Sequence, residues 1–217
     1  MQTPRLIYFA DPMCSWCYGF SPVIAQIRQT FGRALPIEVV MGGLRPGNDK
    51  PTTEQAKTEL KIHWEHVHEA TGLPFDDAVL DRPGFLYDTD PAARAVVRVR
   101  REDGEKAVNY LRRLQQAFYA QNQDITKAET LANLAAEFGV DRDAFLADFE
   151  TDDLKHETWN DYAIAQRAGV TGFPTLVGGP NEEGAYGVVT RGFAPAPPVL
   201  QVLHQWLGTE PEPAIRG

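Results

Sequence analysis

Cys14 and Cys17 are the only thiols in 217 residues, and they stand in Asp11-Pro12-Met13-Cys14-Ser15-Trp16-Cys17-Tyr18-Gly19-Phe20. An apolar run, Leu6-Ile7-Tyr8-Phe9-Ala10, comes directly before this stretch, and Cys14 to Phe31 carries a helical pattern. The free N–H groups and positive dipole end of a helix favour a thiolate, which is the nucleophile of disulfide exchange. The spacing lets Cys14 attack a partner sulfur and Cys17 release it by closing a small ring. Two plainer readings compete. Inert core cysteines have no reason to fall at Cys-x-x-Cys spacing where a strand runs into a helix. A structural zinc needs four ligands, usually with a second close pair, and no other cysteine exists. No metal is therefore expected.

The elements that must position the pair follow from pattern. Arg5 to Ala10 is a strand rich in aromatic and β-branched residues that stops at Asp11-Pro12. The next helix has Phe20, Val23, Ile24, Ile27 and Phe31 at helical spacing, Gly32 as its stop, and Pro22 inside, where a kink is expected. Ile37 to Met41 is a second strand, followed by the loop Gly42-Gly43-Leu44-Arg45-Pro46-Gly47. Strand, helix, strand suggests a βαβ unit with parallel strands. From about Thr52 to Gly169 helical signal dominates, and six helices are predicted: Thr53–Thr71, one opened by Asp90 as cap with Pro91, Gly104–Gln123, one begun by a capping box at Thr126-Lys127-Ala128-Glu129 and ending at Phe138-Gly139, Asp141–Phe149, and Asp152–Ala168. Val170 to Val177 and Ala185 to Thr190 are strands of an antiparallel hairpin. The last helix is Pro197–Leu207, with Val199, Leu203 and Trp206 facing inward. The order βαβ, helices, ββα implies an α/β fold whose one sheet is split across both ends of the chain.

Composition bounds the function. The chain is 43% apolar and 24% charged, ordinary values for a globular protein. A net charge of −9 argues against a generic nucleic-acid or anionic-membrane surface. No run of about 18 apolar residues occurs. Met1 to Arg5 offers no basic n-region, apolar h-region and cleavage site, so a cytoplasmic location is expected, where a cysteine pair is catalytic more often than structural.

Cys14-Ser15-Trp16-Cys17 after a first strand, Pro22 five residues past the second cysteine, and Val170-Thr171-Gly172-Phe173-Pro174-Thr175 together resemble the DsbA-like branch of the thioredoxin superfamily. The closest group is the cytoplasmic FrnE-like proteins described as predicted protein-disulfide isomerases. The resemblance covers nearly the whole chain and implies a thioredoxin-like fold, residues 1–51 and 165–208, with an inserted helical domain, 52–164, and a flexible tail, 209–217. It makes Cys14 the nucleophile, Cys17 the resolving thiol and Pro174 a cis-proline packed against them. In that fold the backbone of residue 173 turns toward the site, where an extended substrate can pair. Ser15, Trp16, Thr171 and Phe173 are the implied substrate-binding residues. The chain departs from the envelope DsbA, which has Pro-His between its cysteines. Ser15-Trp16 places no charge there, which implies a less oxidising poise.

Three functions follow. The first is a thiol–disulfide oxidoreductase or isomerase acting on protein or small disulfides, without cofactor, with glutathione or a thioredoxin-type protein as recycling partner. The second is a glutathione-dependent isomerase or transferase, because the fold also resembles 2-hydroxychromene-2-carboxylate isomerases and kappa-class glutathione transferases, which usually carry serine where Cys14 stands. The third is a redox-switched peptide-binding module. Among weaker signals, Asp11 is read as a helix cap or as a proton acceptor for Cys17. Arg45 is read as surface loop or as a contact for an anionic substrate. His63, His66 and His68 are read as solvated or groove-lining rather than metal ligands. Arg94, Arg98 and Arg101 are read as an exposed basic face.

Overall fold

A computed structural model describes residues 3–181 and 183–209. Strand β1, Arg5–Ala10, lies inside a four-stranded sheet of order β2-β1-β3-β4, with β2 at Ile37–Met41, β3 at Thr175–Gly179 and β4 at Gly187–Arg191. β1 and β2 are parallel from Leu6 opposite Ile37 to Ala10 opposite Met41. β3 runs antiparallel to β1, with Phe9 opposite Thr175, and β4 is antiparallel to β3. The alternation of side chains along a strand divides the core. Leu6, Tyr8, Ala10, Ile37, Val39, Met41 and Leu176 join the main apolar cluster with helix α1, Ser15–Phe31. Phe9 and Val40 face the other way, against Ala165 of helix α7, Asp152–Arg167.

Between β2 and β3 lie α2 (Glu54–Thr71), α3 (Asp90–Arg100), α4 (Gly104–Tyr119), α5 (Ala128–Ala136), α6 (Arg142–Phe149) and α7. α8, Ala196–Leu207, closes the described chain and packs on α1 and β4. The tail expected at 209–217 lies outside the described residues except for Thr209. α3 carries the helical region's core: Ala92, Ala93, Ala95, Val96, Val97 and Val99 are wholly buried. Of the arginines expected as an exposed basic face, only Arg101 is exposed, and it is paired with Asp148 and Glu157. Arg94 and Arg98 are buried and each is paired with carboxylates, Arg94 with Asp90 and Glu150, and Arg98 with Glu102 and Asp148. Arginine can lay its stem along apolar surface and deliver a planar charged fork to such partners.

The outer edge of β2 is covered by the same region. Arg100 Nη1 donates to the Val39 carbonyl at 2.7 Å, and the Met41 N–H donates to Asp161 Oδ2 at 2.9 Å. Arg100 also holds Asp161 through two bonds, at 2.6 and 3.0 Å. A sheet edge left open offers unpaired backbone groups to other chains; here two side chains from α3 and α7 take them.

Several boundaries differ from expectation for local reasons. Thr89, not Asp90, is the N-cap of α3; the Asp90 N–H is taken by Asp88 Oδ1 at 3.0 Å, and the Asp90 carboxylate serves Arg94 and Tyr162. The capping box at Thr126 does not form, because Thr126 Oγ1 donates to Asp124 Oδ1 at 2.6 Å and Lys127 becomes the cap. α4 ends at Tyr119 rather than Gln123, with Asn122 at φ 49° turning the chain. β3 begins only at Thr175, and β4 begins and ends later than expected, at Gly187 and Arg191.

Candidate active site

The site forms where β1 and β2 end. The chain leaves β1 at Ala10, and the Asp11 carboxylate binds both loops that follow: the Met13 N–H donates to Oδ1 at 2.9 Å and the Leu44 N–H to Oδ2 at 2.8 Å. Asp11 is thus not the cap of α1. That place belongs to Cys14, with extended backbone (φ −96°, ψ 114°), whose Sγ accepts the Cys17 N–H at 3.3 Å. A sulfur occupies the position where serine or aspartate usually satisfies the first free N–H groups of a helix. No acidic residue lies in the first turn of α1 to oppose negative charge on that sulfur.

The two thiols differ in access. Cys14 keeps 7% of its surface exposed and Cys17 none. Burial pushes the Cys17 thiol well above its ordinary range, and the hydrogen bond and charge of Cys14 push it further. The Asp11 carboxyl is also fully buried, which raises it to about 6, although the Leu44 and Met13 N–H groups and the Thr89 hydroxyl draw it back. Tyr87 supports the turn from the helical side: its hydroxyl donates to the Met13 carbonyl at 2.7 Å, and the Arg45 guanidinium lies over its ring at 5.1 Å.

The segment before β3 meets Cys14 from across the sheet. Cys14 Sγ lies 3.6 Å from the Phe173 carbonyl oxygen as donor, and the Phe173–Pro174 peptide bond is cis. The Phe173 ring sits where a side chain on residue 42 would be; a Cβ on Gly42 would lie 2.2 Å from two of its carbons. Gly43, at φ +70°, lets the Tyr162 ring approach in the same manner. The glycine pair of the Gly42–Gly47 loop is thus a landing surface for two aromatic rings.

Of the residues singled out in sequence, Cys14, Cys17, Phe173 and Pro174 come together. Trp16 is half-buried beside them, with Phe193 at 5.4 Å and His63 of α2 edge-on at 6.0 Å. Ser15 is buried, and Thr171 is exposed on the lip of a groove of about 490 Å³. That groove is also lined by Leu44, Trp159, Tyr162 and Phe173. Trp159, 53% exposed and packed against Tyr162, was not singled out, nor was Tyr87. The Gly42-Gly43 doublet at a strand end, read in the sequence only as part of a loop, is the signal that could have pointed to a close approach there. His68 is spent locally, Nδ1 against the Leu73 carbonyl at 2.7 Å.

A thiol pair at the head of α1, a short mixed sheet and a proline segment facing the first thiol define a class, and the chain belongs to the thioredoxin family, whose model matches residues 8–197. Its structural likenesses lie in the DsbA-like branch. A candidate protein disulfide isomerase from Nitrosomonas europaea is 34% identical and superposes with a TM-score of 0.87, over 95% of this chain and 98% of that one. The cytosolic disulfide reductase DsbM from Pseudomonas aeruginosa is 27% identical, with a TM-score of 0.78 over 94% and 98%; a second DsbM structure contains GSH. Among curated relatives, the ClpXP adapter protein SpxH of Halalkalibacterium halodurans is 26% identical over 97% of this chain and 70% of its own length.

Proposed function

We propose that the chain is a thiol–disulfide oxidoreductase, with Cys14 as nucleophile and Cys17 as resolving thiol. The observation that carries this is the placement of Cys14 Sγ: at the N-cap of α1, receiving the Cys17 N–H, and facing the Phe173 carbonyl. Cys14 thiolate attacks one sulfur of a substrate disulfide, forming a mixed disulfide and releasing the other sulfur as a thiolate. Cys17, once deprotonated, attacks Cys14 Sγ; the Cys14–Cys17 bond forms and the substrate leaves reduced. The reverse sequence oxidises a dithiol. Substrate backbone pairs beside Phe173, with Trp16, Thr171 and the groove under Trp159 receiving its side chains. Pro174 presents no N–H beside the thiols.

We assign the physiological direction to reduction or isomerisation in the cytoplasm, with disulfide-bearing proteins or small molecules as substrates and glutathione or a thioredoxin-type protein restoring the dithiol. The cytosolic DsbM, found with GSH, supports that choice. The chemistry requires no metal or organic cofactor. The retained pair favours this cycle over a glutathione-dependent isomerase or transferase, which uses no disulfide of its own. A second reading, a redox-switched peptide-binding module, draws support from the SpxH adapters and from the exposed Trp159 and Leu44. Trapping separates them. Cys17→Ser should accumulate a Cys14-linked mixed disulfide with substrate and Cys14→Ser should accumulate none. If both variants retain full activity, the dithiol cycle is wrong and the binding reading leads.

A further inference from the structure

The dithiol cycle proposed above, on which this inference rests, requires the Cys17 proton to leave a residue with no exposed surface. A proton leaves such a place only through polar neighbours. Tyr8, in β1, supplies one: its hydroxyl donates to the Cys17 carbonyl at 3.5 Å, and after burial the neighbouring Cys17 thiol helps push that hydroxyl well above its ordinary range. Tyr8 also lines a small cavity between α1 and α4, about 30 Å³ in volume, together with Ser21, Arg28, Asn109, Arg112 and Gln115. That volume suffices for one water, which needs roughly 10–15 Å³ and two to four polar partners.

Gln115 is the second, independent observation. It is 1% exposed, and its side-chain nitrogen has no acceptor among the described residues. A buried amide donor left without a protein partner carries its full desolvation penalty unless water takes the partner's place. Ser21, also buried, adds a hydroxyl to the same wall. The outer wall is Arg28 and Asn109, hydrogen-bonded to each other at an exposed site. The competing acceptor is the Asp11 carboxylate; it holds the Met13 and Leu44 N–H groups, and among the described residues it makes no hydrogen bond to Cys17.

We propose that this cavity is a hydration site through which Cys17 is deprotonated, with Tyr8 as the relay and Gln115 as the residue that positions the water. Cys17 Sγ–H gives its proton to Tyr8 Oη while the Tyr8 hydroxyl swings from the Cys17 carbonyl and passes its own proton to the cavity water, so the tyrosine stays neutral. The water hands the proton outward past Asn109. The Cys17 thiolate then bonds to Cys14 Sγ, and the substrate sulfur leaves with the electron pair and takes a proton from solvent. The protons balance: one leaves through the cavity, and one arrives at the leaving sulfur.

The test is stopped-flow reaction of the reduced full chain with 5,5′-dithiobis(2-nitrobenzoate). The first thionitrobenzoate released reports Cys14 attack and the second reports Cys17 attack. A wild-type chain that releases only one equivalent sinks the dithiol cycle itself. If it releases two, Tyr8→Phe should leave the first rate within about twofold and slow the second about tenfold or more near neutral pH, with the deficit closing as hydroxide takes over at high pH. Gln115→Leu should slow the second release in the same direction with the Tyr8 hydroxyl intact, and it decides the matter if Tyr8→Phe fails to fold. In the wild type the second release should be at least about twofold slower in deuterium oxide. A second step with the wild-type rate and pH profile in either folded variant, equal slowing of both steps, or no isotope effect in the wild type overturns the relay.

Discussion

Gly42→Ala is the smallest change that should disable the site without touching a thiol. The added Cβ would lie 2.2, 2.2 and 2.8 Å from three carbons of the Phe173 ring. Carbon atoms pack at about 3.5–4.0 Å, so the ring must retreat by roughly 1.3 Å or more. Gly42 cannot yield easily, because its N–H is bonded to the Ala10 carbonyl at 2.8 Å. Overpacking of this kind costs about 1–3 kcal/mol. The functional loss should exceed the stability loss, because the carbonyl facing Cys14 Sγ belongs to Phe173 itself. A misplacement of about 1 Å in a reacting constellation can cost on the order of 100-fold. The assay is kcat/KM for reduction of a fluorogenic peptide disulfide, with thermal unfolding run in parallel. Gly172→Ala is the control, since a Cβ there meets nothing within 4 Å. Expected are a 10- to 100-fold loss in kcat/KM for Gly42→Ala, order-of-magnitude figures from the same misplacement argument, and little change for the control. Phe173→Ala combined with Gly42→Ala should show less than the sum of the single losses, because the clash needs both groups. Wild-type activity in Gly42→Ala, or full additivity of the pair, would refute the reasoning.

Asp11→Asn should alter the pH dependence of stability. Asp11 is raised from 3.8 to about 6 in the fold. Between those values the native state therefore holds more protons than the unfolded state, and stability falls as pH rises through the window. The shift corresponds to about 3 kcal/mol. Urea unfolding should show the variant gaining up to that amount on the wild type between about pH 4 and pH 7.5, above a constant offset of about 1–2 kcal/mol for the hydrogen bond lost. A difference that does not change with pH contradicts the assignment. Asp161→Ala takes from Arg100 its closest carboxylate, leaving it the Val39 carbonyl and a 3.4 Å contact with Glu157, and frees the Met41 N–H. Breaking a buried pair costs about 3–5 kcal/mol. For a chain of this size each kcal/mol lowers Tm by about 2–4 °C, so a fall of about 6 °C or more is expected by calorimetry. A change under about 2 °C would mean that the pair contributes little to joining α7 and the sheet.

The sequence specified some elements to the residue. β1 and β2 are short apolar runs ended by Asp11-Pro12 and Gly42-Gly43, and they fall at Arg5–Ala10 and Ile37–Met41. Thr53 and Asp141 cap α2 and α6 as their local pattern demands. Apart from helix ends shifted by near neighbours, the failures share a cause: the deciding partner is distant in the chain. Val170 to Pro174 has strand composition, yet the segment forms the approach to Cys14, and only Thr175 onward pairs with β1. Asp11 looks like a cap in its local context, but one of its oxygens is held by Leu44, 33 residues away. Arg94, Arg98 and Arg101 have the spacing of a solvated face, and nothing local reveals carboxylates arriving from α6 and α7. The cysteine pair itself was legible because its spacing and its place at a helix start are local. Tyr87, Trp159 and the Tyr8–Gln115 cavity were not, because packing alone assembles them.

The central claim is that Cys14 and Cys17 exchange one disulfide between them and a substrate. The most direct test equilibrates the full chain in glutathione buffers of graded potential, traps free thiols by alkylation, and weighs the protein. The account predicts a single two-electron transition to an intramolecular Cys14–Cys17 disulfide. Its midpoint should lie at about −270 mV for a reductase, or at about −180 mV for an isomerase. Oxidation that stops at a glutathione adduct on Cys14, with Cys17 still free, would contradict it and return the chain to the glutathione-dependent reading.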